Sequence, residues 1–350
     1  MEADINVRKT EHIRLCLTEN VEGVDVTTGL EGITFIHNAL PEINFHDIKI
    51  ETAFLDKKLK APFLVSSMTG GSELAEKINI HLASASEEKG WIFALGSTRA
   101  LLESDAHKDS FLIREYAKTV PIIANLGAVQ LNYGYGVEEC RRLIEKTEAD
   151  SLVLHLNSLQ EIVQDEGDVN FENLLPKIEQ ICRELEVPVG VKEVGFGIDG
   201  TVAKKLYDIG IHYIDVAGAG GTSWSQVEKL RSKDPLRIAA AEAFNSWGIP
   251  TKECLVSVKH KVPQAPLIAS GGMKSGHDAA KAITLGADVV GFARQLLQAA
   301  TESTESVIRV MEQIEFELKM VMFGIGAKTI TDLKETKRVK INGRSLLEED

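Results

Sequence analysis

The sequence predicts an α/β chain folded as a (β/α)8 barrel, with an N-terminal extension before it and a C-terminal helix and tail after it. Three observations predict this. Eight short apolar runs recur along the 350 residues, each ending in small or polar residues. Helical patterns fall between them. No low-complexity linker and no internal repeat divides the chain, so one domain is expected.

The runs are Pro62–Met68, Trp91–Ser97, Pro121–Gly127, Ser151–Asn157, Pro188–Val194, His212–Gly218, Pro266–Gly272 and Asp288–Arg294. Continuous apolar runs of this length suit strands buried on both faces of a parallel sheet. Between them, Leu74, Ile78, Leu82 and Ala85 recur at helical spacing on Ser72–Lys89. Gly276, Ala279, Ala280 and Ile283 do the same behind a capping-box-like start at Ser275 and Asp278. Val137–Thr147, Asn173–Leu185 and Thr201–Ile209 also read as helices. Alternating strand and helix implies right-handed βαβ units, and eight of them close a TIM barrel. The barrel is expected over residues 61–323, ending in a late helix, Thr304–Phe323. Residues 1–60 form a mixed, turn-rich extension that closes over the active site. Residues 324–350 form a charged tail.

Charge narrows the partners. Lys plus Arg is 39 and Asp plus Glu is 52, a formal net charge of −13. An acidic surface does not neutralise phosphate backbones, so no nucleic-acid partner is expected. Anionic lipid attracts basic clusters, so no membrane partner is expected either. The cysteines, Cys16, Cys140, Cys182 and Cys254, are scattered without a Cys-x-x-Cys pair, which fits reduced thiols in the cytoplasm. No signal peptide or apolar stretch of about 18 residues is found.

In such barrels the active site is built by the loops that follow the strands. The first run ends in Ser67-Met68-Thr69-Gly70-Gly71, the second in Gly96-Ser97-Thr98-Arg99 and the third in Asn125-Leu126-Gly127. The fourth carries His155, Asn157, Gln160 and Glu161; the fifth carries Lys192 and Glu193. The sixth ends in Asp215 and a glycine-rich stretch to Ser223. The last two end in Ser270-Gly271-Gly272 and Ala293-Arg294. Caps and tight turns explain some of these residues. They do not explain a lysine on an apolar strand, which is costly to bury unless paired or used; Lys192 is therefore either functional or salt-bridged. The Gly271-Gly272 and Ala293-Arg294 ends suit a phosphate held by backbone N–H groups, or a plain capped helix start. Gly195-Phe196-Gly197-Ile198-Asp199-Gly200 matches the dinucleotide fingerprint, but the eight-unit rhythm makes it the fifth loop of a barrel. Arg8, Lys9 and His12 form a basic group that is either solvated or closes over an anionic substrate. A lone Glu161 among neutral amides suits a hydrated Mg²⁺ shared with a diphosphate, or a capped helix start.

In order along the chain, RKTEHI, SSMTGG, GSTR, NLGA, HLNSLQE, VKEVG, DVAGAGGTSW and SGG resemble the type 2 isopentenyl-diphosphate isomerases, FMN-dependent (β/α)8 enzymes of isoprenoid biosynthesis. The likeness runs from about Arg8 to Arg294, with Ser158 standing where proline is expected. It implies that Met68, Thr69, Gly70, Ser97, Asn125, Lys192 and Thr222 contact the flavin. Gly271, Gly272, Met273, Ala293 and Arg294 would hold its phosphate region. Arg8, Lys9, Ser97, Thr98, Arg99, Asn157 and Gln160 would bind the substrate. Lys192, Gln160 and His155 would be catalytic, and Glu161 would coordinate Mg²⁺. The implied reaction interconverts isopentenyl and dimethylallyl diphosphate. It is redox-neutral, yet needs FMN first reduced by NADPH, with Lys192 stabilising the reduced, anionic flavin. A homo-oligomer, tetramer or octamer, is implied too. The alternative is an FMN-dependent oxidoreductase of the hydroxy-acid oxidase type, but its His-Gly segment is not found. A Gly218–Trp224 loop without cysteine departs from the inosine-monophosphate dehydrogenase type. A non-enzymatic scaffold barrel would leave unexplained why so many strand ends are polar.

Overall fold

All eight apolar runs form parallel strands that close into a barrel, each pairing with the next and the last with the first. They are β1 (Phe63–Val65), β2 (Ile92–Ala94), β3 (Ile122–Gly127), β4 (Ser151–Leu156), β5 (Val189–Glu193), β6 (Tyr213–Asp215), β7 (Leu267–Ala269) and β8 (Val289–Phe292). The chain is described by a computed structural model over residues 2–104, 106, 108–345 and 347. Residue 1 of the expected extension, and 346 and 348–350 of the expected tail, lie outside the described residues.

Alternate residues of each strand face two different cores. Phe63, Val65, Phe93, Leu126, Leu154, Val191 and Phe292 point outward to the helices. Leu64, Ile92, Ala94, Ile123, Val153, Tyr213, Ile268 and Val289 fill the barrel itself. A hairpin of Thr52–Phe54 and Lys57–Leu59 adds Phe54 and Leu59 to that inner core. It plugs the end of the barrel at which the strands begin. Lys57 Nζ anchors it on Asp150 Oδ1 at 2.6 Å, just before β4. The opposite end, where the strands finish, stays open for chemistry.

The helices begin where short polar side chains cap them. Ser72 accepts from Ala75 N ahead of Glu73–Lys89, Ser275 accepts from Asp278 N ahead of Gly276–Thr284, and Asp199 caps Gly200–Asp208. Sequence periodicity did not resolve three further helices between β6 and β7: Trp224–Arg231, Pro235–Glu242 and Thr251–Lys261. The first part of the extension is a helix, Glu2–Thr18, where a turn-rich chain was expected. Its pattern is weak in sequence because its buried Ile13 and Leu15 stand on either side of the exposed Arg14, and Arg8, Lys9 and His12 of the same helix line the barrel mouth. The charged C-terminal segment contains a capped helix, Ile330–Lys334, and a strand, Val339–Ile341, which pairs antiparallel with Ile33–Phe35 of the extension. Ile330, Leu333 and Val339 are buried there. Among the described residues no helix is long and apolar enough to cross a membrane.

Inside the barrel the Tyr213 ring of β6 lies over Gly190 of the preceding strand, β5, and a Cβ at Gly190 would stand 2.2 Å from it. The hydroxyl of Tyr213 pairs with Ser151 Oγ at 2.9 Å, so the ring has a fixed place. Gly190→Ala is therefore expected to lower stability by about 1–3 kcal/mol through overpacking. Urea denaturation should show a smaller loss for the same change in a Tyr213→Ala background.

Candidate active site

The strand ends surround a cavity of about 460 Å³, in the range of small-molecule sites. It is lined by Arg8, Lys9, Met68, Ser97, Arg99, Asn125, His155, Asn157, Gln160, Glu161 and Lys192, together with Thr222, Gly271, Gly272, Met273, Ala293 and Arg294. Of the residues expected at the site, Thr69, Gly70 and Thr98 do not line it. Thr98 is fully buried and donates its hydroxyl to Asn125 O at 2.7 Å, tying two strand ends together. Gly70 is needed because a Cβ there would lie 2.1 Å from the Phe111 ring.

Strand register sets the centre of the site. His155 pairs with Lys192 and Lys192 with Asp215, so three titratable side chains occupy one row of neighbouring strands. Lys192 Nζ donates to Glu193 O at 2.6 Å. Asp215 Oδ1 accepts from Ser270 Oγ at 2.6 Å, and burial raises its pKa. His155 Nδ1 meets Asn125 Oδ1 at 2.7 Å. Burial, then the charge of Lys192, pushes the His155 pKa down to about 3, so the imidazole is neutral.

The N-terminal helix lays Arg8, Lys9 and His12 across the mouth. Burial and the Arg8 charge lower the Lys9 pKa to about 8, and burial lowers that of Arg8. Arg8 Nε is buried without a hydrogen-bond partner. Two desolvated cations with donors to spare describe an anion site. Six lysines and arginines line the cavity (Arg8, Lys9, Arg99, Lys192, Lys274 and Arg294) against three glutamates (Glu22, Glu103 and Glu161). The wall is thus basic in a chain of charge −13.

Several key contacts were not legible in sequence. The Glu228 side chain is fully buried and lies 3.0 Å from His12 Nε2 and 2.6 Å from Arg231 Nη1. Gln160 Nε2 donates to it at 3.0 Å. Burial works to raise its pKa, but these partners outweigh that and hold the carboxyl at about 2. Arg99 is gripped by Glu103 at 2.6 Å and Asp168 at 2.8 Å. Glu161 accepts from Asn157 Nδ2 and from Asp168 N, both at 2.8 Å, and burial raises its pKa. Trp224 also lines the cavity, edge-on to His12.

The glycine-rich loop after β5 is filled from within. Glu193 Oε2 accepts from the N–H groups of Val194 at 2.6 Å, Gly195 at 2.7 Å, Gly197 at 3.1 Å and also Phe196. Donors that a dinucleotide phosphate would need are taken by this carboxylate. At the other loops, backbone lies on backbone: a Cβ at Gly271 would stand 2.1 Å from Gly218 O, and one at Gly221 2.5 Å from Gly272 N. Both loops line the cavity and expose main chain to it. Ser66 Oγ and Ser67 Oγ, also at its wall, are buried without partners. This donor-rich, glycine-floored wall fits a flavin and its phosphate. No group of three or more His, Cys, Asp or Glu that could hold a metal occurs among the described residues. Glu161 and the unpartnered Asn157 Oδ1 are hard oxygen donors of the kind that would hold a Mg²⁺.

A family profile described as FMN-dependent dehydrogenase matches residues 156–340, just over half the chain. An isopentenyl-diphosphate delta-isomerase of Oceanobacillus iheyensis is 74% identical over 348 residues, covering 99% of this chain and 100% of the relative. The chain belongs to the FMN-dependent isopentenyl-diphosphate delta-isomerase family. The isomerase of a Nostoc species is 48% identical over 334 residues, covering 95% of each chain. Among solved structures, a flavocytochrome b2 variant superposes with a TM-score of 0.69 at 17% identity, covering 97% of this chain and 84% of that one. A Pediococcus acidilactici lactate oxidase gives 0.66 at 18%, covering 96% and 93%. These two carry the fold alone: they share the barrel with this chain.

Because folded His155 resists protonation until about pH 3, while the unfolded side chain titrates near 6.5, stability falls as pH drops through that window. The slope contributed by one such proton is about 1.4 kcal/mol per pH unit. Denaturation between pH 6.5 and 5 should show a shallower slope for His155→Gln.

Proposed function

We propose that this protein isomerises isopentenyl diphosphate to dimethylallyl diphosphate with reduced FMN and Mg²⁺, NADPH serving to reduce the flavin. The observation that carries the reading is the basic wall at the strand ends of an acidic barrel, with a neutral His155 and a buried Lys192 in one row. When bound, reduced FMN supplies the proton chemistry that an unactivated alkene requires, since the alkene has no polar handle for a side chain.

The chain's own residues do the rest. Arg8 and Lys9, desolvated and short of partners, would gain most from the diphosphate oxygens. Glu161 would bring Mg²⁺ to the same oxygens, with Asn157 beside it. Arg99, already neutralised by Glu103 and Asp168, would orient the anion more than attract it. Gln160 is held by Glu228 at 3.0 Å, so its amide is fixed at the edge of the substrate space. His155 Nδ1 is tied to Asn125, which leaves the neutral ring oriented without adding charge. Met68, Ser97, Asn125, Thr222, Gly271, Gly272, Met273 and Ala293 would seat the flavin, and Lys192 would place positive charge at its reduced ring. Phe316 and Met320, exposed on the outer helix Thr304–Ile325, support assembly into a tetramer or octamer. The cytoplasm is the proposed location.

Lys192→Ala should lower kcat by about 10²-fold or more and weaken FMN retention; unaltered retention and turnover would remove Lys192 from this role. Glu161→Gln should raise the half-saturating Mg²⁺ by at least about tenfold, measured with FMN bound and reduced. An unchanged Mg²⁺ dependence would remove Glu161 from the metal site.

A further inference from the structure

We infer that Arg294 is a positioning residue that fastens the N-terminal helix over the barrel mouth, leaving the flavin phosphate to backbone N–H groups. Arg294 follows the last barrel strand, where position alone suggests a phosphate ligand. Its guanidinium turns elsewhere. Nε donates to Cys16 O at 3.0 Å, Nη2 to Glu19 O at 3.3 Å, and Nη1 to Glu22 Oε1 at 3.3 Å.

Cys16 lies in the last turn of the helix Glu2–Thr18 and Glu19 just beyond it. The last carbonyls of a helix lack intrahelical partners and carry the negative end of its dipole. A cation there is stabilising, yet this helix has no basic residue in its own last turn. Arg294 supplies one from the barrel. Around it the following segment is pinned as well. Ser223 N donates to Val21 O at 2.7 Å, and Glu22 Oε1 lies 3.1 Å from Lys274 Nζ. The clamp therefore joins the end of β8 and the loop after β6 to the base of the helix. Arg8 lies eight residues up that helix, about 12 Å at its usual rise. A loose base would swing Arg8, Lys9 and His12 away from the mouth. With three donors of the fork so used, the phosphate corner is left to the main chain of Gly271 and Gly272, which lines the same cavity.

The role of the helix in holding the substrate rests on the proposed isomerase reading; the clamp itself does not. The test compares Arg294→Lys and Arg294→Met with the parent in three measurements: FMN dissociation constant by flavin fluorescence, tryptic cutting after Arg8, Lys9 and Arg14, and the KM–kcat split for isopentenyl diphosphate. Lysine keeps the charge that a phosphate ligand needs but not the three-pronged fork. Both variants should bind FMN within about threefold of the parent and be cut at least about tenfold faster. KM should rise about tenfold with kcat nearly unchanged. A tenfold weaker FMN affinity in the methionine variant that lysine restores, or an unchanged cutting rate in both, would overturn the inference. Should the methionine variant fold poorly, the lysine variant carries the cutting comparison alone. Absent turnover in the parent would defeat the isomerase reading, while the FMN and proteolysis measurements would still decide the clamp.

Discussion

One buried ammonium governs the rest of the site. Lys192 points into the barrel end, where its hydrogen bond goes to a neutral carbonyl, Glu193 O. A cation taken out of water demands compensation of several kcal/mol. Its neighbours in the strand register respond accordingly. Its charge helps keep His155 neutral, and it works against the burial that raises the Asp215 pKa. The row thus sets Lys192 between the neutral His155 ring and the buried Asp215 carboxyl.

The same logic extends to the whole mouth. A chain of charge −13 lines its cavity with twice as many cationic as acidic side chains. Burial lowers the pKa values of Arg8 and Lys9, so an incoming anion would relieve an electrostatic penalty already present. Glu228 holds the pieces in place: one buried carboxylate touches His12 from the extension, Gln160 from the short helix Ser158–Val163 after β4, and Arg231 from its own helix. Net charge limited the class of partner by size and said little about local sign.

The barrel was legible because strands buried on both faces read as unbroken apolar runs, and every one of the eight fell where its run lies. Lys192, Gly271, Gly272 and the His155–Glu161 stretch were legible because polar residues at strand ends break that pattern. Glu228, Asp168 and Glu22 were not, because partners such as His12, Arg99 and Arg294 lie far away in sequence and a single carboxylate reads as a solvated residue. The Gly195–Gly200 loop shows the opposite failing. Its motif invites a dinucleotide, while the carboxylate of Glu193, the last residue of β5, occupies the donors. Arg294 likewise carries the position of a phosphate ligand and the contacts of a helix cap. The N-terminal helix was not legible because its two buried apolar residues, Ile13 and Leu15, gain meaning only against the barrel.

Stoichiometry of the reductant separates a redox-neutral isomerisation from a reaction that consumes NADPH with each turnover. The protein is loaded with FMN and Mg²⁺, reduced once with limiting NADPH under anaerobic conditions, and given excess isopentenyl diphosphate. The account predicts many equivalents of dimethylallyl diphosphate per NADPH consumed, because the isomerisation is redox-neutral. Consumption of one NADPH per molecule transformed, or no dimethylallyl product at all, would contradict it.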